Sequence, residues 1–259
     1  MPAGFVTAVR TLSLIPIPGR DAEKMSTSLP WFPVVGALLG TGLVLAGEAF
    51  QRLGMGDWPF GGAFLLVLLS AALTRGLHLD GLADAAGAFF SMTGRDRMLA
   101  IMKDSRVGTF GVLALVFVIG IKWLAIERLM EKGLIIWILP AFVISRAVMA
   151  DLSVSLGYAR KEGGTGAPFV NGSRPGHRIG AWAISLVLLL AIGPFAPGAL
   201  VIGVVLARSL ALFFEKRIGG ITGDLLGASS EITEAVLLMV GAMVAGRGDV
   251  LVGWKMLPW

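Results

Sequence analysis

The chain has 259 residues, 56% of them hydrophobic and 15% charged, with a mean hydropathy of +0.82. A soluble domain is about a quarter charged, so this composition excludes an ordinary water-soluble fold and points to a polytopic membrane protein. The absence of cysteine excludes disulfides, zinc–thiolate sites and thiol catalysis, and the net charge of +5 says less than the placement of its charges.

The first 20 residues have no basic start ahead of their apolar part and no clear cleavage site, so they do not read as a signal peptide. Residues 4–17 are apolar and end in Pro16 and Pro18; they are too short to span and predict an interfacial or re-entrant segment. Arg20, Asp21, Glu23 and Lys24 form a polar loop. Apolar runs then recur at 31–51, 59–77, 107–126, 134–152, 179–193, 197–214 and 232–251. The stretch GPFAPG at 193–198 predicts a tight turn between the fifth and sixth. The seventh contains Arg247 and Asp249 and so is expected to end near Gly246. The expectation is an all-α helical bundle with seven spans in a single integral membrane domain, 1–259; six spans result if 179–214 is irregular.

Basic residues set the orientation of a membrane bundle. With the N-terminus in the cytoplasm, the inside segments carry 16 of the 22 lysines and arginines, and the outside carries Arg52, Lys122, Arg128, Lys132, Arg247 and Lys255. The long polar loops then all face inward. No nucleic-acid partner is expected; a lipid bilayer is, and a homo-oligomer is compatible with the sequence.

Polar residues gather in three clusters. The first, from His78 to Gly111, holds Asp80, Asp84, Asp96 and Asp104 with Arg75, Arg95, Arg97, Lys103 and Arg106. Charges at the mouth of a membrane helix are expensive to desolvate and need a partner or a task. Asp80 and Asp84 are four apart and share a helix face. They repel unless a cation lies between them, and Mg²⁺ favours such oxygen ligands and shares them with phosphates. Lys103, Ser105 and Arg106, beside Gly108 and Gly111, suit a phosphate. Arg95, Asp96 and Arg97 read as a solvated loop. His78 reads equally as a structural or a catalytic histidine.

The second cluster runs from Arg146 to Gly166. An intramembrane arginine points to function, with Asp151 or a ligand phosphate as its partner. Tyr158 is either an interfacial anchor or a ligand contact. Arg160 and Lys161 ahead of Gly163 and Gly164 form a second anion grip, and His177 has no assigned role. The third cluster is Gly219 to Glu234, where Asp224 lies among glycines in an expected turn between two spans. Ser229 or Ser230 is expected to cap the last helix, with Glu231 and Glu234 in its first turn.

Taken in order, HLDGLADAAG, IMKDSRVGTFG, the segment from Arg146 ending YARKEGG, and GGITGDLLGA resemble the cobalamin synthase family, adenosylcobinamide-GDP ribazoletransferase. FVTAVRTLSLIPIP and LPWFPVVGALLG fit the family's opening, so the resemblance covers most of the chain. It implies a Mg²⁺-dependent enzyme of the prokaryotic inner membrane, with a cytoplasmic active face. That enzyme joins α-ribazole or its 5′-phosphate to adenosylcobinamide-GDP, releases GMP and completes the lower nucleotide loop of cobalamin. On that resemblance Asp80 and Asp84 hold Mg²⁺. His78, Asp104 or Asp224 accepts the hydroxyl proton. Substrate contacts come from Arg75, Lys103, Ser105, Arg106, Arg146, Tyr158, Arg160, Lys161 and Gly223. One departure stands out: where the family's first motif has a further Asp followed by Gly, this chain has Gly87 and Ala88. Asp104 or Asp224 is then the expected substitute ligand. The first motif also resembles, more loosely, the CDP-alcohol phosphotransferase signature, which makes a membrane lipid phosphotransferase an alternative. A transporter is the other, although the charges cluster at one face and no repeat is visible.

Overall fold

The computed structural model describes residues 1–193 and 196–245. Its helices are α1 (Ala3–Leu12), α2 (Phe32–Phe50), α3 (Pro59–Leu73), α4 (Leu77–Phe89), α5 (Arg95–Ile101), α6 (Thr109–Glu131), α7 (Ile138–Ser155), α8 (Ala167–Val170), α9 (Pro175–Ile192), α10 (Gly198–Ile218) and α11 (Gly223–Val244). No strand occurs among the described residues; Tyr158 and Ile221 form an isolated bridge. Six helices are long and apolar enough to cross a membrane, and the pair α3–α4 supplies a seventh candidate. Arg247, Asp249, Lys255 and the expected end near Gly246 fall outside the described residues, as does part of the turn expected at 193–198.

The apolar pattern sorts the helices by depth. α7 is apolar nearly all round, and such a helix belongs in an interior; 89% of its apolar window is buried, against 22% for α6 and α10 and 17% for α9. Leu39 and Leu43 of α2 and Phe142, Ile144 and Leu152 of α7 belong to one continuous core. α6, α9 and α10 turn Phe117, Leu190, Val201 and Leu212 outward, as lipid-facing helices do.

α4 does not continue α3. Arg75 (φ 57°) and Gly76 (φ 67°) both adopt left-handed backbone, and the chain turns by 89°. Left-handed geometry is rare for a residue with a side chain and costs about 1–3 kcal/mol. The Arg75 guanidinium donates to the Arg10 carbonyl at 3.1 Å, and the Leu14 N–H to the Leu73 carbonyl at 2.8 Å, so α1 braces the corner.

Three sequence expectations are corrected. The last span starts at Gly223, nine residues before the expected 232, because the Thr222 hydroxyl caps it by accepting from the Leu225 N–H at 3.3 Å. Ser229, Ser230, Glu231 and Glu234 therefore lie inside α11 and are buried, and none of them caps it. Lys122, expected in an outer segment, is buried in α6 and donates to Glu231 at 2.9 Å and to Glu234 at 2.5 Å. Arg146 pairs with Glu234 rather than with Asp151, which instead accepts from Arg208, from Trp182 Nε1 at 2.7 Å and from the Ser155 hydroxyl at 2.9 Å.

Candidate active site at the polar end of the bundle

The three clusters meet at one end of the bundle, and glycine brings them together. A Cβ on Gly81 would lie 2.5 Å from the Asp224 carbonyl oxygen, and one on Gly227 would lie 3.1 Å from His78 Cα. α4 and α11 therefore touch backbone to backbone, the close approach that small residues allow between membrane helices.

This crossing sets Asp80, on the first turn of α4, beside Asp224, on the first turn of α11. Both line a cavity of about 830 Å³, together with Arg75, His78 and Gly223. Asp84, one turn beyond Asp80, is half-buried, and its strongest charged neighbours are Asp80 and Asp224, with Arg160 opposing them. Asp224 accepts from Arg160 Nη2 at 2.6 Å. Among the described residues no three histidine or acidic side chains stand close enough to hold a metal ion by themselves. Two carboxylates with water and substrate oxygens suffice for Mg²⁺. The like charges facing Asp84 fit a cation there.

A second cavity, of about 340 Å³, is lined by Arg95, Lys103, Arg160 and Lys161, with Asp96 and Glu162. Lys103 pairs with Glu162 and holds that carboxyl below the usual carboxylate range. Arg160 joins the two cavities, since it lines the second and binds Asp224 of the first.

Behind His78 lies a buried ion network. Lys122 of α6 and Arg146 of α7 oppose Glu231 and Glu234 of α11, two positive groups against two negative. Arg146 Nη2 lies 3.4 Å from His78 Nδ1. A guanidinium has no acceptor, so any hydrogen bond there runs from Arg146 to Nδ1. His78 Nε2 is buried and has no partner in the protein, which sets the ring back from a substrate hydroxyl.

The other expected site residues are dispersed. Asp104 and Arg106 pair with each other, at 2.6 Å between Arg106 Nη2 and Asp104 Oδ2, and neither lines either cavity. Hydrogen bonds from the Arg106 side chain and backbone hold the Asp104 carboxyl down at about 2, which makes it a weak proton acceptor at neutral pH. Ser105 is exposed in the same loop. Tyr158 bridges Ile221 and packs on Gly164, where a Cβ would meet its hydroxyl at 2.3 Å. Arg146 is fully buried in the ion network and lines neither cavity.

Sequence reasoning gave Arg95 to solvent. Its Nε donates to the Ile218 carbonyl at 2.7 Å and its Nη2 to the Ala159 carbonyl at 2.8 Å, pinning α5 to the end of α10 and to the 157–160 turn. Glu162 had no assigned role, and Lys122, Glu231 and Glu234 were placed without the partners they have here. Lys122 inside an apolar run carried a usable signal, because a charge at that depth needs an opposite one.

Carboxylates at the mouth of one cavity, a basic cavity beside it, and a membrane bundle that presents both at one end define an integral membrane protein built to handle anionic substrates. The Cobalamin-5-phosphate synthase family model matches residues 4–242, and the chain belongs to that family. It is 45% identical to a protein of Chlorobium phaeovibrioides over 238 residues, which cover 90% of this chain and 94% of that one. A relative from Chlorobaculum parvum is 43% identical over 94% of this chain and 96% of its own length. One from Chlorobium phaeobacteroides is 41% identical over 93% and 98%. All three bear the name adenosylcobinamide-GDP ribazoletransferase. No solved structure matches the chain.

Proposed function

We propose that this chain is a Mg²⁺-dependent adenosylcobinamide-GDP ribazoletransferase of the prokaryotic inner membrane, with the polar end of its bundle in the cytoplasm. The observation that carries the reading is a similarity to ribazoletransferases that spans nearly the whole of both chains. In the reaction a hydroxyl of α-ribazole, or of its 5′-phosphate, attacks the phosphorus of adenosylcobinamide-GDP that is joined to the corrinoid. A new P–O bond forms there, the bond to GMP breaks, and GMP leaves.

Charge in such a transfer spreads over phosphoryl oxygens, so positioning and cationic stabilisation supply most of the catalysis. Asp80 and Asp84, with water and phosphate oxygens and with Asp224 at the edge of the site, would hold Mg²⁺, which would supply positive charge to the diphosphate. Arg160 and Lys103 add fixed cations beside it. His78 lines the larger cavity, and Arg146, pinned by Glu234, holds the ring from behind. Of the three expected proton acceptors, Asp224 is the carboxylate that lines the first cavity, where Arg160 holds it at 2.6 Å.

The test is release of GMP by the purified protein from adenosylcobinamide-GDP, α-ribazole and Mg²⁺, repeated for Asp80→Asn and Asp224→Asn across a Mg²⁺ titration. Asp80→Asn should abolish turnover. Asp224→Asn, acting through the metal, should need more Mg²⁺ and recover part of its rate when supplied with it; acting as the base, it should lose about 10²–10⁴-fold at every Mg²⁺ concentration. Release of CMP from a CDP-activated alcohol, with no GMP from the corrinoid, would replace this reading with a lipid phosphotransferase.

A further inference from the structure

The two cavities differ in chemistry, and so do the two substrates of the proposed reaction. The walls of the larger cavity are apolar: Leu12, Phe32, Ile119, Met149, Phe169 and Leu226 reach inward from six elements. Its ionised groups, Arg75, Asp80 and Asp224, are few against those walls, and Asp224 is already paired with Arg160. A diphosphate drawn deep among those apolar walls would lose its water without a matching set of donors. The smaller cavity has the opposite character. Arg95, Lys103, Arg160 and Lys161 outnumber Asp96 and Glu162 there, and Arg160 is nine-tenths buried with its Nε unpartnered. An unpaired buried donor of that kind is poorly placed unless an acceptor comes to it.

We infer that the larger cavity binds the uncharged aromatic base and ribose of α-ribazole, while the basic cavity binds the guanylyl diphosphate of the second substrate. This assignment rests on the transferase reading above. Size agrees with it: about 830 Å³ lies within the range of drug-sized ligands, enough for a nucleoside and too little for a corrin ring with its side arms and a nucleotide. The corrinoid then stays outside the bundle and reaches in only through its diphosphate. The shared wall, where Arg160 of one cavity holds Asp224 of the other at 2.6 Å, becomes the place where the ribose hydroxyl meets the phosphorus. Each substrate would bind without the other, and neither would compete for the other's cavity.

Equilibrium binding to the full-length protein in nanodiscs tests this without requiring turnover, with GDP and α-ribazole as the separate probes. Lys161 is exposed, so Lys161→Glu leaves the fold alone. It should weaken GDP binding about tenfold or more, the loss of one charge-assisted contact, and leave α-ribazole binding as it was. Phe169→Ala should weaken α-ribazole binding and spare GDP. Val201→Ala, outward on α10 and in neither cavity, should leave both unchanged, and the retained GDP binding of Phe169→Ala separates lost contact from lost fold. If GDP and α-ribazole displace each other, or if Lys161→Glu weakens α-ribazole instead, the division is wrong. A wild-type protein that binds both probes separately but releases no GMP strikes the transferase reading and leaves the two binding assignments standing.

Discussion

Four ionised side chains deep between α6, α7 and α11 balance one another, and their worth lies in that balance. Breaking a buried pair strands its partner and destabilises by about 3–5 kcal/mol, whereas removing both partners together costs much less. Lys122→Met alone should therefore lower the midpoint of unfolding in a mixed-detergent titration sharply, because it leaves Glu231 without a cation. Lys122→Met combined with Glu231→Met should recover most of the loss, because the Arg146–Glu234 pair remains. Equal destabilisation by the single and double variants would deny the coupling. Little of this network was legible in the sequence. Arg146 announces a partner by its depth, and Asp151 was the acid nearest to it along the chain. Five residues along a helix place two side chains on different faces, while Glu234 lies 88 residues away and faces Arg146 across the bundle. Charge balance at depth can be inferred from sequence; its pairing depends on packing.

Among the elements, the crossing of α4 and α11 positions the site most directly. Gly81 meets Asp224 backbone at a distance that leaves no room for a Cβ, so Gly81→Ala must push the helices apart. Overpacking of this kind costs about 1–3 kcal/mol, and it also moves Asp80 relative to Asp224. Misplacement by about 1 Å can cost about 10²-fold in rate, so GMP release should fall by about that factor while the protein still purifies folded. Gly42→Ala on α2 is the control, since nothing lies within 4 Å of its Cβ position, and it should match the parent in stability and rate. Unchanged turnover in Gly81→Ala would show that the crossing does not set the site. The sequence showed these glycines but misread their purpose. Gly219, Gly220, Gly223 and Gly227 look like a turn when judged by helix propensity, which is why the last helix was expected nine residues late. Only the first two are in a turn, and Gly227 packs against α4. The motif HLDGLAD was read correctly as a helix with Asp80 and Asp84 on one face, since a four-residue spacing needs no tertiary knowledge. The 89° corner before it was not legible, because no rule places an arginine at positive φ.

At the scale of the whole molecule the chain crosses back and forth so that its polar segments return to one end. α2, α6, α9 and α11 begin there, and α3, α7 and α10 finish there. The sequence expectation of seven apolar runs fits this alternation where the bent pair of α3, 15 residues long, and α4 counts as one span. Lys122 and Arg146 drop out of the topological balance because they are paired inside the bundle. Among the described residues the basic groups outside the polar end are then Arg52, Arg128 and Lys132, the first just beyond the end of α2 and the others at the end of α6. With Lys122 and Arg146 removed the sequence count of 16 against 6 becomes 15 against 5, Arg247 and Lys255 lying outside the described residues, and a surplus of lysine and arginine marks the cytoplasmic side. The chain has no cysteine of its own, so one introduced thiol reports its side of the membrane without background. Lys161 and Arg128 are both exposed and stand at opposite ends, whereas Arg160 is too buried to serve as a reporter. In intact cells an impermeant maleimide should label Arg128→Cys, and should reach Lys161→Cys only after the membrane is permeabilised. Labelling of Lys161→Cys from outside would put the carboxylates and both cavities on the external face, away from any cytoplasmic nucleotide, and would overturn the proposed orientation.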